Sequence, residues 1–422
     1  MGGIKMSEKM LTPDFAIEES SRCLLCHDAP CSKACPVGTD PARFIRSLRF
    51  RNLKGAVETI RENNVLGGIC ARVCPTAKYC EGACSRSGID RPIEIAKIQR
   101  YLTDYEKVLG LQILEPVELN KEKVAIIGSG PSGLGAATKL ALLGYKVTVF
   151  EGKNELGGWL TYGIPEERLP KEVIENEISY IRKLGVEFKT NCNIGKDKTI
   201  EELQKEGFKA ILVSVGMQKS KDIEIIGANL EGVIKGTDLL SEVKVLNKNK
   251  LGNKVIVIGG GDVAIDCATT AKLLGCDVKL VYRRTIDKMP ADRASIDYLQ
   301  SLNIPIFTGF KPAEILGNGK KVERFKAVGM FDDSTIELPA DNIIFAIGQE
   351  PTNVNNIAKL NVNNNGIIIT ENYKTNIEGI FASGDITEGD KTVVFALKEG
   401  KEAAEAIDNY LRKADSMKEG AK

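Results

Sequence analysis

Eight of the chain's eleven cysteines fall between Cys23 and Cys84, as Cys23-x2-Cys26-x4-Cys31-x3-Cys35-Pro36 and then Cys70-x3-Cys74-Pro75-x4-Cys80-x3-Cys84. Thiolates at such short spacing bind soft metals, and a cubane iron-sulphur cluster takes about four of them. Two runs of four therefore fit two 4Fe-4S clusters. Structural zinc is the competing use of grouped cysteines. Gaps of three, four and five residues in place of repeated C-x-x-C knuckles, with proline after Cys35 and Cys74, weigh toward iron. The first run has four residues where the common bacterial ferredoxin motif has two, so a different cluster fold is expected.

At 422 residues the chain is long enough for two or three separately cored domains. Lys plus Arg number 58 and Asp plus Glu 57, a formal charge of +1 that gives no field for a polyanion, so nucleic acid is not an expected partner. The opening MGGIKMSEKMLTPDF lacks an apolar run of signal-peptide length, and no later stretch reaches the roughly 20 apolar residues of a membrane helix. The expectation is a soluble cytoplasmic protein without a membrane partner, in a reducing compartment where clustered cysteines serve metals rather than disulfides.

Residues 1–118 read as a small all-α domain stapled by metal. Thr39, Asp40 and Pro41 mark a helix start, followed by Phe44, Ile45 and Leu48 at helical spacing. The other face carries Arg43, Arg46, Arg49, Arg51 and Lys54, either a solvated face or a docking surface. The single histidine, His27, sits between Cys26 and Cys31 and is expected to order that loop by hydrogen bonds rather than to catalyse.

From Lys123 the pattern becomes strand, glycine turn, amphipathic helix, strand, and it returns from Lys254. Two such units predict two doubly wound dinucleotide domains. In the first, Gly128, Gly130 and Gly133 form a G-x-G-x-x-G fingerprint that includes Pro131 and Ser132, with Glu151 placed to accept from a ribose hydroxyl. In the second, Gly259 and Gly261 precede Asp262, Val263 and Ala264, but the position matching Glu151 is Tyr282, followed by Arg283 and Arg284. Two guanidiniums there suit a 2′-phosphate and NADPH; one Arg stacked on adenine would leave NADH equally possible. The runs AILVSVG (210–216) and NIIFAIG (342–348) read as buried strands that end near a cofactor. The tail from 379 reads as strand, Gly-Asp turn and long helix that completes the first domain, so the second is an insertion.

The expected architecture is thus α/β: an all-α bis-iron-sulphur domain (1–118), an FAD domain in two parts (119–245 and 341–422) and an NAD(P) domain (246–340) inserted in it. Two crevices fit NAD(P)H reducing FAD, chemistry that the cofactors supply without an obligatory protein acid or base, so no catalytic side chain is assigned. No C-x-x-C occurs among Cys192, Cys267 and Cys276, which are read as packing residues, and thiol-disulfide exchange is disfavoured.

The segments RCLLCHDAPCSKACP, ICARVCPTAKYCEGAC and GDITEGDKTVV, with both fingerprints, resemble the flavin and iron-sulphur subunits of bacterial NAD-dependent dihydropyrimidine dehydrogenases over nearly the whole chain. The small subunits of glutamate synthase and input modules of other dehydrogenases are the alternative branch. The resemblance implies that Cys23, Cys26, Cys31 and Cys84 hold one 4Fe-4S cluster, and Cys35, Cys74, Cys80 and Gln99 the other, leaving Cys70 free. Spacing alone points to Cys70 as the eighth ligand. FAD contacts map onto residues Gly128 to Gly133, Glu151, Gly158, Arg168, Gly384, Asp385 and Thr392. Those for NAD(P) map onto Gly261 to Ala264, Arg283, Arg284 and the turn of Ala346, Ile347 and Gly348. The resemblance also implies a separate FMN-containing barrel subunit, which interconverts uracil or thymine and their 5,6-dihydro forms.

Overall fold

A computed structural model describes residues 12–246, 251–351 and 353–419. These described residues fall into two compact units: those up to 160, those of 166–216 and those from 351 on in the first, and those of 161–165 and 217–350 in the second.

The first unit begins with helices and no strand among the described residues before Lys123. Helix Pro41–Arg49 starts where the sequence places it, with the Asp40 side chain accepting from Arg43 N–H at 3.2 Å and proline in the first turn. Its apolar stripe of Phe44, Ile45 and Leu48 is buried against Val57 and Ile60 of helix Leu53–Asn63 and Ile98 and Leu102 of helix Ile95–Leu109. Cys80 is buried in the same cluster and Cys23, Cys31 and Cys84 pack on its edge, so the helical core fixes where the thiols stand.

Five parallel strands follow in the order Ile380–Ala382, Phe208–Val213, Lys123–Ile127, Lys146–Phe150, Glu187–Lys189. The order reverses beside Lys123–Ile127, where a doubly wound sheet opens its crevice. The tail helix Val393–Glu419 packs on the fingerprint helix Pro131–Leu142 at close range: a Cβ at Gly400 would stand 2.0 Å from the Ser132 carbonyl oxygen, and one at Gly135 2.6 Å from Leu397. The tail therefore completes the first nucleotide sheet, as the sequence suggests.

The second unit repeats the plan, with parallel strands ordered Val233–Lys235, Asn342–Phe345, Lys254–Ile258, Asp277–Tyr282, Ile306–Thr308. An antiparallel sheet of Phe310–Gly317, Val322–Gly329 and Thr335–Pro339 is added to it. Its bounds are wider than the 246–340 read from the sequence, because Val233–Lys235 and Asn342–Phe345 pair into this sheet rather than the first. Cys267 and Cys276 are buried in its core, and Cys192 packs partly buried in the first unit. No described helix is long and apolar enough to cross a membrane.

Within the first unit, the helical segment is fastened to the nucleotide sheet by a buried ion cluster. Arg61 donates to both Glu106 oxygens, at 3.0 and 2.8 Å, and to Glu177 of helix Lys171–Arg182 at 2.5 Å, with its guanidinium 4.7 Å from the Tyr180 ring centroid. All three charged side chains are at most 6% exposed. Burial pushes the Glu177 carboxyl up against the opposing pull of Arg61. Removing one member leaves the others buried and uncompensated, so Arg61→Ala is expected to cost about 3 to 5 kcal/mol. Thermal unfolding of the full chain measures this as a lowered midpoint relative to wild type.

Candidate functional site

The first crevice is shaped by what its glycines exclude. Gly128 has φ of 106°, and a Cβ there would lie 2.5 Å from the Ser214 carbonyl oxygen. At Gly133 a Cβ would meet the Gly128 oxygen at 2.1 Å, which is the close helix-strand packing expected of the third glycine. Gly130 instead faces open space, with no protein atom within 4 Å of an added Cβ, at the N-terminus of helix Pro131–Leu142. Backbone and helix end together make a cradle that suits a pyrophosphate.

Glu151 is buried beside that cradle. One oxygen accepts from Ser129 N–H at 3.1 Å and Ser129 Oγ at 2.6 Å, the other from Lys153 N–H at 3.0 Å. A carboxylate offers about four acceptor positions, so one remains for a ribose hydroxyl. Ser129 Oγ accepts from Gly157 N–H at 3.0 Å, and Gly158, at φ of 56°, lies against Gly130. Arg168 is partly buried on the same unit.

The tail closes on the fingerprint. Ser132 Oγ and Ser383 Oγ are 2.7 Å apart, and a Cβ at Gly384 would lie 2.8 Å from the Ser132 Cβ. Gly384 N–H donates to Glu399 at 2.8 Å. Burial pushes the Asp385 carboxyl up to about 6 and that of Glu399 to about 7; Asp385 adds to the rise at Glu399, and the Gly384 N–H opposes it. Glu399 escapes a sequence reading because the tail helix carries several acids and no spacing marks the buried one.

In the second unit Gly259 has φ of 147°, and a Cβ there would strike the Ala346 oxygen at 2.2 Å, so the Ala346, Ile347, Gly348 turn runs beside the fingerprint. Gly261 is again open, at the head of helix Asp262–Leu273, where Val263 follows and Ala264 is fully buried. The Tyr282 ring covers Gly260, 2.5 Å from an added Cβ, and its hydroxyl donates to the Lys288 oxygen at 2.7 Å. Arg283 and Arg284 are exposed at the end of strand Asp277–Tyr282, and among the described residues neither has an acidic partner.

Electrostatic coupling among the cysteines crosses between the two runs. Burial pushes the Cys23 thiol up, with Cys84 and Cys26 adding repulsion, and it pushes Cys31 up to about 11, helped by Cys23 and Cys84. Burial also raises Cys74, with repulsion from Cys70, Cys80 and Cys35, and raises Cys80, with repulsion from Glu81, Cys35 and Cys31. Cys84 thus stands near Cys23 and Cys31, and Cys35 near Cys74 and Cys80, while Cys31 also faces Cys80. Cys70 is buried and pushed up to about 12 by that burial, with an Asn64 hydrogen bond opposing and Cys35 adding. Gln99 is buried with its Nε2 donating to the Gly67 oxygen at 2.7 Å, at the start of helix Gly67–Val73.

Thiols must lose their protons to bind metal, and desolvated thiols that repel one another keep them until cations arrive. Among the described residues no three His, Cys, Asp or Glu side chains close around a single ion. Thr39 N–H donates to Cys35 Sγ at 3.4 Å, while Cys26 Sγ donates to Ser85 Oγ at 3.7 Å. His27 is exposed and bonds no described residue, so it does not order its loop as expected.

Tyr79 joins the cysteines to the flavin-type crevice. Its hydroxyl donates to Asp390 at 2.5 Å and lies 3.2 Å from Thr392 Oγ1, and Lys78 pairs with the same Asp390. Cys80 is the next residue in the chain. Lys401 of the tail helix adds a second link, donating to the oxygens of Val37 at 3.3 Å and Asn63 at 2.6 Å.

Residues 122–400 match the pyridine nucleotide-disulphide oxidoreductase family, and residues 3–110 match dihydropyrimidine dehydrogenase domain II, 4Fe-4S cluster. The chain is 46% identical over 407 residues to the NAD-dependent dihydropyrimidine dehydrogenase subunit PreT homolog of Salmonella typhi, covering 96% of each. It is 31% identical to the glutamate synthase [NADPH] small chain of Halomonas elongata, covering 94% of this chain and 91% of that one. Among solved structures, Lactococcus lactis thioredoxin reductase matches with a TM-score of 0.56 at 24% identity, over 69% of this chain and all of that one, a likeness of fold.

Glu399 gives the crevice a pH signature. A carboxyl that is raised in the folded state, as Glu399 is to about 7, stabilises the fold below its unfolded value of about 4.3 and loses that contribution as pH climbs through the folded value. The flavin-free chain is therefore expected to melt lower at pH 8 than at pH 5, and Glu399→Gln should flatten the difference in a thermal scan.

Proposed function

The chain belongs to the PreT family of NAD-dependent dihydropyrimidine dehydrogenase subunits, within the pyridine nucleotide-disulphide oxidoreductases, and on that footing we propose that it is the electron-input subunit of such an enzyme. Its partner would be an FMN-containing barrel subunit that interconverts uracil or thymine and their 5,6-dihydro forms. Bound NAD(P)H, FAD and two 4Fe-4S clusters supply hydride transfer and a relay of single electrons.

The chain's own residues hold and tune these groups. The Gly128–Gly133 loop with Ser132, Glu151, Gly158, Arg168, Gly384, Asp385 and Thr392 hold FAD. Gly259, Gly261, Asp262, Val263 and Ala264, with the Ala346–Gly348 turn, Arg283 and Arg284, hold the nicotinamide dinucleotide. Cys23, Cys26, Cys31 and Cys84 take one cluster. Cys35, Cys74, Cys80 and Gln99 take the other, which leaves Cys70 a buried thiol. No side chain is needed as an acid or base.

The observation that carries this reading is the Tyr79 hydroxyl, bonded to Asp390 and 3.2 Å from Thr392, one residue from Cys80. It ties a proposed cluster ligand directly to the flavin-side turn.

Reconstitution tests the proposal. The purified chain alone should bleach its flavin with NAD(P)H yet leave uracil untouched; mixed with the FMN barrel subunit it should oxidise NAD(P)H in step with dihydrouracil formed. Flavin bleaching without uracil reduction in the mixture would contradict the assignment.

The Arg pair sets a second test. A 2′-phosphate held by two guanidiniums predicts that Arg283→Ala with Arg284→Ala raises KM for NADPH far more than KM for NADH. Equal increases in steady-state assays would remove the phosphate-reading role.

A further inference from the structure

The function proposed above requires a place where the partner engages, and one surface next to the first cysteine group has the chemistry for it. We propose that Arg46, Phe50 and Arg51, with Leu24 beside them, form the docking site for an acidic face of the FMN barrel subunit. This inference rests on the electron-input reading.

Arg49 donates to the Cys23 carbonyl oxygen at 3.2 Å, so the end of helix Pro41–Arg49 abuts the loop that presents Cys23. The residues flanking that hydrogen bond are apolar and exposed: Leu24, next to Cys23, is 44% exposed and Phe50, next to Arg49, is 72% exposed. Single exposed apolar side chains are ordinary, but two flanking one contact beside a set of proposed cluster ligands form the apolar centre of a small interface.

The charges around this centre are one-sided. Arg43 pairs with Glu62 at 2.9 Å, and Lys54, on the following helix, lies 3.8 Å from Glu58, so these two cations are compensated. Arg46 and Arg51 are exposed and, among the described residues, have no acidic partner. The whole chain carries only +1, so this uncompensated pair is a local feature and not a sample of a basic surface. Favourable placement near the helix C-terminus explains Arg46 and Arg49 but not Arg51, which lies beyond the helix with φ of 59°, a conformation glycine adopts at less cost. An unpaired positive rim around an exposed aromatic selects an acidic partner face and steers its approach.

Position in the fold agrees. Cys35 and Cys80 lie toward the tail through Lys401 and Tyr79, whereas Cys23 lies toward Arg49 and Cys26 toward Ser85. The contacts of the Cys23 loop thus run to the helix that carries the proposed surface, and those beside Cys35 and Cys80 to the tail.

The test uses the full-length chain loaded with its cofactors and the purified FMN barrel subunit, with Kd measured calorimetrically at about 50 mM and about 300 mM salt. Arg46→Glu with Arg51→Glu should raise Kd about tenfold or more at low salt and flatten its salt dependence. Phe50→Ser should raise Kd several-fold while leaving the salt dependence as in wild type. Both variants should bleach flavin with NAD(P)H at the wild-type rate, which shows them folded and loaded. Variants that bleach normally and bind the barrel subunit like wild type overturn the surface alone. A wild-type chain that bleaches but does not bind that subunit overturns the electron-input reading, and the surface with it.

Discussion

Glu177 accepts the N–H of Gly68 at 2.8 Å while it pairs with Arg61, so a helix of the nucleotide-binding sheet grips the first turn of the helix that leads to Cys74. Arg61 in turn holds Glu106 on the helix that carries Gln99. Buried charges of this kind add little net stability against an apolar alternative, but they tolerate only one arrangement of their partners. This ion cluster, with the Lys401 and Tyr79 contacts, joins the helical segment to the sheet.

That constraint matters because the thiols cannot organise themselves. Burial pushes Cys31 up to about 11 and raises Cys74 and Cys80, with repulsion between thiols adding to each, so without metal these three stay protonated. Iron arriving as a cluster replaces those protons and converts repulsion into ligation, which makes loading dependent on pH and coupled to folding. The packing of Cys80 inside the helical core, and of Cys23, Cys31 and Cys84 at its edge, holds them ready for that exchange.

Much of this was legible in the chain itself. The two fingerprints, with Glu151 present in one and Tyr282 in its place in the other, announced two crevices, since steric demands on glycine are local. The nearness of Cys84 to Cys23 and Cys31, and of Cys35 to Cys74 and Cys80, was not legible from spacing, because it depends on how helices fold back on each other. The bounds of the second unit were read too narrowly for a similar reason: Val233–Lys235 is a three-residue strand whose only signal is its partner Asn342–Phe345. Tyr79, Asp390 and Glu399 were missed because each acts through a contact more than ten residues away.

The central claim is that the two cysteine groups hold iron-sulphur clusters wired to a flavin, and metal analysis of the chain purified without oxygen tests it most directly. Two cubane clusters predict about eight irons and about eight acid-labile sulphides for each FAD. One or two zinc ions per chain, without iron or labile sulphide, would contradict it.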